Sequence, residues 1–208
     1  MAALARDTGF APSRYERVIL LLRRYHDRVD ELRGRALAEA GLRFGSGPAG
    51  DDSAARRPGL PGDEALVAAD EEAPKLLVDA AADLAAIEGK GAASGVANAQ
   101  LACARGWLLA LRSGSSVDRE RARLSLEEAV SGDPSLEEGY EALASLEGAH
   151  DRLEAAIEVC SRGVAVDVGY VPLWMRRAVL RLRLATQRHA AGKEVGKLYE
   201  EAAAAGHF

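Results

Sequence analysis

The sequence predicts an all-α protein, a short array of helical hairpins (an α-α superhelix) behind an N-terminal helical extension. A small–large–small pattern carries most of this expectation. Ala122, Leu126 and Ala129 are matched 34 positions later by Ala156, Cys160 and Gly163, and again after a slightly longer interval by Val195, Tyr199 and Ala202. Elsewhere, apolar residues recur three and four apart, the spacing of one face of a helix. No sheet is needed to account for any segment.

Residues 1–43 read as one amphipathic helix. Ser13 is placed to cap it, and Tyr15, Val18, Leu22, Tyr25, Val29 and Leu32 form a single apolar seam. Arg14, Glu16, Arg17, Arg23, Arg24, Asp27, Arg28, Asp30 and Glu31 would coat the outward face. The seam suits packing on the rest of the chain or, as the other reading, a coiled-coil contact with a partner. Residues 44–63 mix glycine, proline and charge without period and read as a flexible linker. Residues 64–93 hold a packing helix that Pro74 starts, with Leu77, Ala81, Leu84 and Ile87 on one face and Gly89-Lys-Gly91 at its end.

Residues 94–208 read as three divergent hairpins. The recurring triplets are the second helices, and the first places Pro134 at the position where a hairpin ends. First helices fit too: Tyr140 with Ala144, and Trp174 with Ala178 one repeat later, while Gly106 supplies the small residue of the first hairpin. Small residues let two helices approach closely, and the aromatic fills the gap to the next hairpin. This grammar resembles the tetratricopeptide repeat, with leucine at Leu126 where that pattern prefers phenylalanine. The chain departs from it at Ser113-Gly-Ser-Ser116 and near Ala190-Ala-Gly192, where residues are inserted, and at Arg177 and Arg181, where apolar residues are expected.

Composition bounds the chemistry. The chain has 208 residues, 48% of them apolar, and a net charge of -5, which argues against a dominating nucleic-acid footprint. Its two cysteines, Cys103 and Cys160, are too few for a secreted disulfide framework and too far apart for a metal or redox pair, so a reducing compartment is expected. The apolar run Val18–Leu22 is far too short to span a bilayer. Residues 1–6 lack a secretory signal, so the cytoplasm is the expected compartment, the nucleus and a short organelle-targeting leader staying open. His26, His150, His189 and His207 are scattered, and Gly89-Lys-Gly-Ala-Ala-Ser94 lacks the order of a phosphate loop. The sequence therefore predicts no enzyme, no metal and no cofactor.

Binding is the function expected. In stacked hairpins the first helices line a concave surface. That surface should display Trp107, then Glu138, Glu141 and Ser145, then Met175 and Arg183. A peptide or partner helix would lie there. The subtype that grips a terminal carboxylate through lysine, arginine and asparagine is disfavoured, because the one asparagine, Asn98, lies outside these positions. Arg176, Arg177, Arg181, Arg183 and Arg188 form a basic belt, read either as a solvated face or as a site for an acidic peptide, with nucleic acid the weaker choice.

The order of elements resembles one family more closely. Leu101-x4-Gly106, then Leu124-Ser-Leu-Glu-Glu-Ala-Val130, then Asp133-Pro-Ser-Leu-Glu-Glu-Gly-Tyr140 is similar to the start of the Strap-like stress-responsive tetratricopeptide proteins. The resemblance implies an adaptor that recognises the emerging N-terminal peptide of tubulin at the ribosome and serves in transcriptional coactivation. This sequence ends at Phe208, short of that family's further repeats and oligonucleotide-fold domain. The competing expectation is a structural subunit docked through the N-terminal helix and the last repeat.

Overall fold

The computed structural model describes residues 11–39, 63–91, 96–112 and 115–190. Most of linker 44–63 and the triplet Val195, Tyr199 and Ala202 lie outside the described residues. Every regular element among those described is helical: α1 (Ala11–Glu39), α2 (Asp63–Ala69), α3 (Ala73–Lys90), α4 (Asn98–Arg112), α5 (Ser116–Gly132), α6 (Glu137–Ala149), α7 (Leu153–Val166) and α8 (Val171–Ala190). The all-α expectation holds. Packing divides the described residues into two compact units, 36–39 with 140–190, and 11–35 with 63–139. Helices α2 to α5, and α1 as far as Arg35, belong to the latter, the first unit.

In that unit α1 buries Tyr15, Val18, Ile19, Leu21, Leu22 and Tyr25. The seam expected from the sequence is present but wider, and its far end, Val29 and Leu32, is only half-buried. The helix already includes Ser13, which is thus inside the first turn and not at the cap. Three arginines expected to coat the outside instead tie α1 to the next elements. Arg17 pairs with Asp83 at 3.2 Å, Arg24 with Glu72 at 2.8 Å and Arg28 with Asp70 at 2.7 Å. As the α1 number rises the partner's number falls, so α1 and α3 run antiparallel. Arg23 reaches Glu138 at 3.9 Å.

Asp70 joins two jobs. One oxygen accepts from the backbone N–H groups of Glu72 and Ala73 at the start of α3, and the other accepts from Arg28 Nε and Nη2. These bonds hold its carboxyl down at about 2, the Arg28 guanidinium contributing most. Helix α3 buries Ala73, Leu76, Ala80, Leu84 and Ile87. The expected face named Leu77 and Ala81 instead. Leu76 and Leu77 both fit an apolar row, and the neighbouring helices select the row that starts at Ala73. Gly91, at φ 52, ends the helix in a conformation glycine adopts without strain.

The α4–α5 pair shows why the small residues matter. A Cβ on Gly106 would lie 2.7 Å from Leu126 Cγ and 3.0 Å from the Ala122 carbonyl oxygen, so the backbones meet where a side chain would not fit. Ala122, Leu126 and Ala129 are fully buried. Ser115 caps α5, its hydroxyl accepting from Asp118 N–H at 3.1 Å.

The second unit repeats these devices. Ala156 and Cys160 are fully buried, and a Cβ on Gly163 would meet Leu173 Cδ1 of α8 and, at 2.9 Å, Tyr140 Cβ of α6. A Cβ on Gly148 would meet Leu180 at 2.9 Å. Helices α6, α7 and α8 thus touch one another at glycines. Cys160 has its thiol pushed up to about 11 by burial.

The turns after α5 and α7 share one hydrogen-bond plan, 34 positions apart. Asp133 N–H donates to Ala129 O at 2.9 Å, and Asp167 N–H donates to Gly163 O at 3.0 Å. Each carboxylate then accepts from the backbone two residues on, Ser135 in one turn and Gly169 in the other. Each aspartate carbonyl accepts from the residue after that, Leu136 or Tyr170, whose own carbonyl accepts from Gly139 or Leu173. Two turns of unlike sequence, Asp-Pro-Ser-Leu and Asp-Val-Gly-Tyr, are built the same way.

Candidate functional site

Of the six expected groove residues, Trp107 and Glu138 belong to the first unit and Glu141, Ser145, Met175 and Arg183 to the second. Trp107 is 2% exposed and serves the core. Glu138 answers Arg23. The remaining four lie on α6 and α8, and the site is built from them.

Helix α8 has two apolar rows. Leu173, Leu180, Leu184 and Ala185 are buried and fix it to its own unit. Val171, Met175, Val179 and Leu182 are 60%, 65%, 58% and 49% exposed. Steps of four, four and three residues put these four in one line along the helix. Four large apolar side chains in a row form a patch, unlike an isolated surface valine. Met175 was expected from the sequence; its three companions were not.

Polar groups fix both ends of this row. Near Val171, the Tyr170 hydroxyl donates to Glu141 Oε2 at 2.7 Å, and Trp174 Nε1 donates to Val168 O at 2.8 Å. Glu141 is therefore a buried acceptor that holds the start of α8 against α6, not a freely displayed carboxylate. Farther along, Arg183 donates to Gly148 O at 3.3 Å and to Asp151 Oδ1 at 3.2 Å. Asp151 sits at φ 56, a left-handed conformation in which aspartate is among the tolerated residues. Ser145 is half-buried on α6.

The basic belt separates into two rows. At ~100° per residue, Arg176 and Arg183 share one side of α8, and Arg177, Arg181 and Arg188 share another. The buried row of Leu173, Leu180 and Leu184 lies between them, and the exposed apolar row lies on the far side of the helix. Arg188 pairs with Glu154 at 3.2 Å. Arg177 lies over the Trp174 ring, 4.1 Å from its centroid, and burial with the neighbouring Arg181 lowers its pKa. Arg176 has no ion pair among the described residues, and the Nε atoms of Arg176 and Arg177 are buried without a hydrogen-bond partner. Helix α8 carries no acidic residue to balance its five arginines.

Among the described residues, no group of three or more His, Cys, Asp or Glu is placed to hold a metal ion, and no helix is long and apolar enough to cross a membrane. An exposed apolar row can bind by burial. No protein-family model, curated protein or solved structure matches this chain.

Proposed function

We propose that this chain is a non-catalytic interaction protein, a tetratricopeptide-like array whose α8 face holds a peptide or helix of a protein partner. The observation that carries the reading is the exposed row Val171, Met175, Val179 and Leu182. Burying it against a partner would stabilise the complex by roughly 1 kcal/mol or more per side chain, before the cost of association. The common hydrogen-bond plan at Asp133 and Asp167, and the packed glycines at Gly106 and Gly163, support the repeat reading. The cytoplasm is the compartment proposed with it.

The structural-subunit reading depends on a free seam along α1. Tyr15, Val18, Leu22 and Tyr25 of that seam are buried within the chain itself. The adaptor reading is accordingly preferred. It predicts that the purified full-length chain runs as a monomer on size exclusion with light scattering, and that Met175→Glu removes proximity-labelled partners in the cell without changing the circular dichroism. A chain that aggregates until a second subunit is co-expressed would reverse the choice.

A further inference from the structure

We propose that the occupant of the α8 face is a partner helix whose contacting stripe carries no charge, apolar along its centre and neutral at its edges. The inference rests on the interaction reading above and adds the chemistry of the partner.

Charge gives the first part. A surface helix ordinarily turns its charges to water. Helix α8 does the reverse: its five arginines are all half-buried, and Val171, Met175, Val179 and Leu182 are exposed. At ~100° per residue, the sector that runs from Arg181 through the exposed row to Arg183 spans roughly 200°. Besides the row it holds Pro172, Trp174, Ala178, Ala185, Thr186 and His189, so no Asp, Glu, Lys or Arg of α8 falls in it. The arginines lie on the other half with Leu173, Leu180 and Leu184, where Arg183 and Arg188 are engaged by Asp151 and Glu154 and Arg177 is stacked on Trp174. A carboxylate or ammonium on the incoming stripe would lose its water against this sector and meet no opposite charge on α8. A neutral stripe avoids that cost.

Backbone chemistry makes the occupant a helix. An extended peptide laid along aliphatic side chains would bury N–H and C=O groups that the row cannot pair, and every regular element among the described residues is helical, so none offers a strand edge to take them. A helix pairs its own. From Val171 to Leu182 the row covers about 16 Å of axis, or three turns, and a facing helix with apolar residues three and four apart would match it. The Tyr170–Glu141 and Arg183–Asp151 bonds fix α8 near each end of the row, so the surface is preformed and little ordering cost is added. A second copy of this chain presents the same stripe, but two folded bodies meeting through four large side chains each fall far short of the roughly 20–30 residues a side that a stable interface takes. A bilayer fits less well too, because two of the arginines that would have to reach its headgroups are engaged by Asp151 and Glu154.

The test uses the full chain and three synthetic fluorescent helices of about 15 residues, alike in their leucine seam and edged by glutamine, glutamate or lysine. In anisotropy titration the glutamine-edged helix should bind at least about tenfold tighter than either charged one, and its affinity should stay within about twofold as salt rises. Val179→Glu and Val179→Lys should each weaken that helix by about tenfold or more, because a charge of either sign then stands in the uncharged sector. Val179→Ser, a milder change at the same exposed site, should weaken it as well and replaces the charged variants if they fold poorly. Equal affinity for the three helices, or tighter binding of a charged one that fades with salt, would overturn the uncharged stripe and leave the interaction face standing so long as Val179→Ser still weakens binding. No binding of any helix, or binding that none of the Val179 variants changes, would overturn the face as well. A dimer of the chain that Val179→Ser dissociates, or flotation with phosphatidylcholine vesicles that Val179→Ser abolishes, would overturn the partner helix as its occupant.

Discussion

Replacing Gly106 by alanine tests how closely α4 and α5 approach. The added Cβ would stand 2.7 Å from Leu126 Cγ and 3.0 Å from both Leu126 Cδ2 and the Ala122 carbonyl oxygen. Favourable carbon contacts begin at ~3.5 Å, so an overlap of about 0.8 Å must be relieved. Leu126 and Ala122 are fully buried, Cγ is a branch point near the root of its side chain, and the carbonyl is backbone. The strain cannot be moved to a mobile tip, and α5 has to shift. Overpacking of this kind costs roughly 1–3 kcal/mol. Alanine regains about 1 kcal/mol of helix propensity over glycine, leaving a net loss of up to about 2 kcal/mol. In a chain of this size that is a fall of up to roughly 8 °C in melting temperature, against a gain for an alanine that meets no neighbour. Gly34→Ala, where no atom lies within 4 Å of the new Cβ, is the control and should gain stability. Urea unfolding followed by circular dichroism reads both. Leu126→Ala makes room, so adding Gly106→Ala in that background should cost less than it does alone. If Gly106→Ala is as stable as Gly34→Ala, the close approach is wrong.

Other outcomes follow from the ionisable groups. Cys160 is fully buried with its thiol pushed up to about 11 by that burial, so it should resist a thiol-reactive reagent in the native chain and react on denaturation; rapid native labelling at this residue would contradict the core position. The Asp70 carboxyl, held at about 2 in the folded chain, takes its proton more readily when unfolded, where carboxylates titrate near ~4. Its stabilising contribution is complete above that range and drains away as the pH falls towards 2. Asp70→Asn should therefore flatten the acid side of the stability profile, and an unchanged profile would remove Arg28–Asp70 from the account.

The sequence was legible wherever burial has a single solution. On α1, Tyr15, Val18, Leu22 and Tyr25 stand out as the inward face because each recurs three or four positions from the last with a charged residue directly beside it. Helix α3 offers two adjacent leucines, and only the neighbouring helices decide that Leu76 and not Leu77 faces inward. The charges of α1 mislead for a related reason: an arginine at the edge of a seam looks solvated until the chain returns Asp70, Glu72 and Asp83 beside it. On α8 two apolar rows of similar strength interleave. Periodicity announces both and cannot say that Leu173, Leu180 and Leu184 are covered while Val171, Met175, Val179 and Leu182 are left exposed. The absence of any acidic residue between Val171 and Ala190 was the available sign that its arginines take their carboxylates from outside the helix, as Arg183 and Arg188 do from Asp151 and Glu154. The paired turns at Asp133 and Asp167 hid behind different neighbours, because an aspartate that accepts from the backbone two residues on leaves the residue between them unconstrained.

The most direct test of an interaction face on α8 places a photo-cross-linking residue at Met175 in the full chain, with a second chain carrying it at exposed Val78 on α3 as the comparison. Irradiated in the native cell, the Met175 probe should give a discrete protein adduct that disappears in the Val179→Glu background, and the Val78 probe should give none. No adduct from Met175, or the same adducts from both positions, would contradict the account.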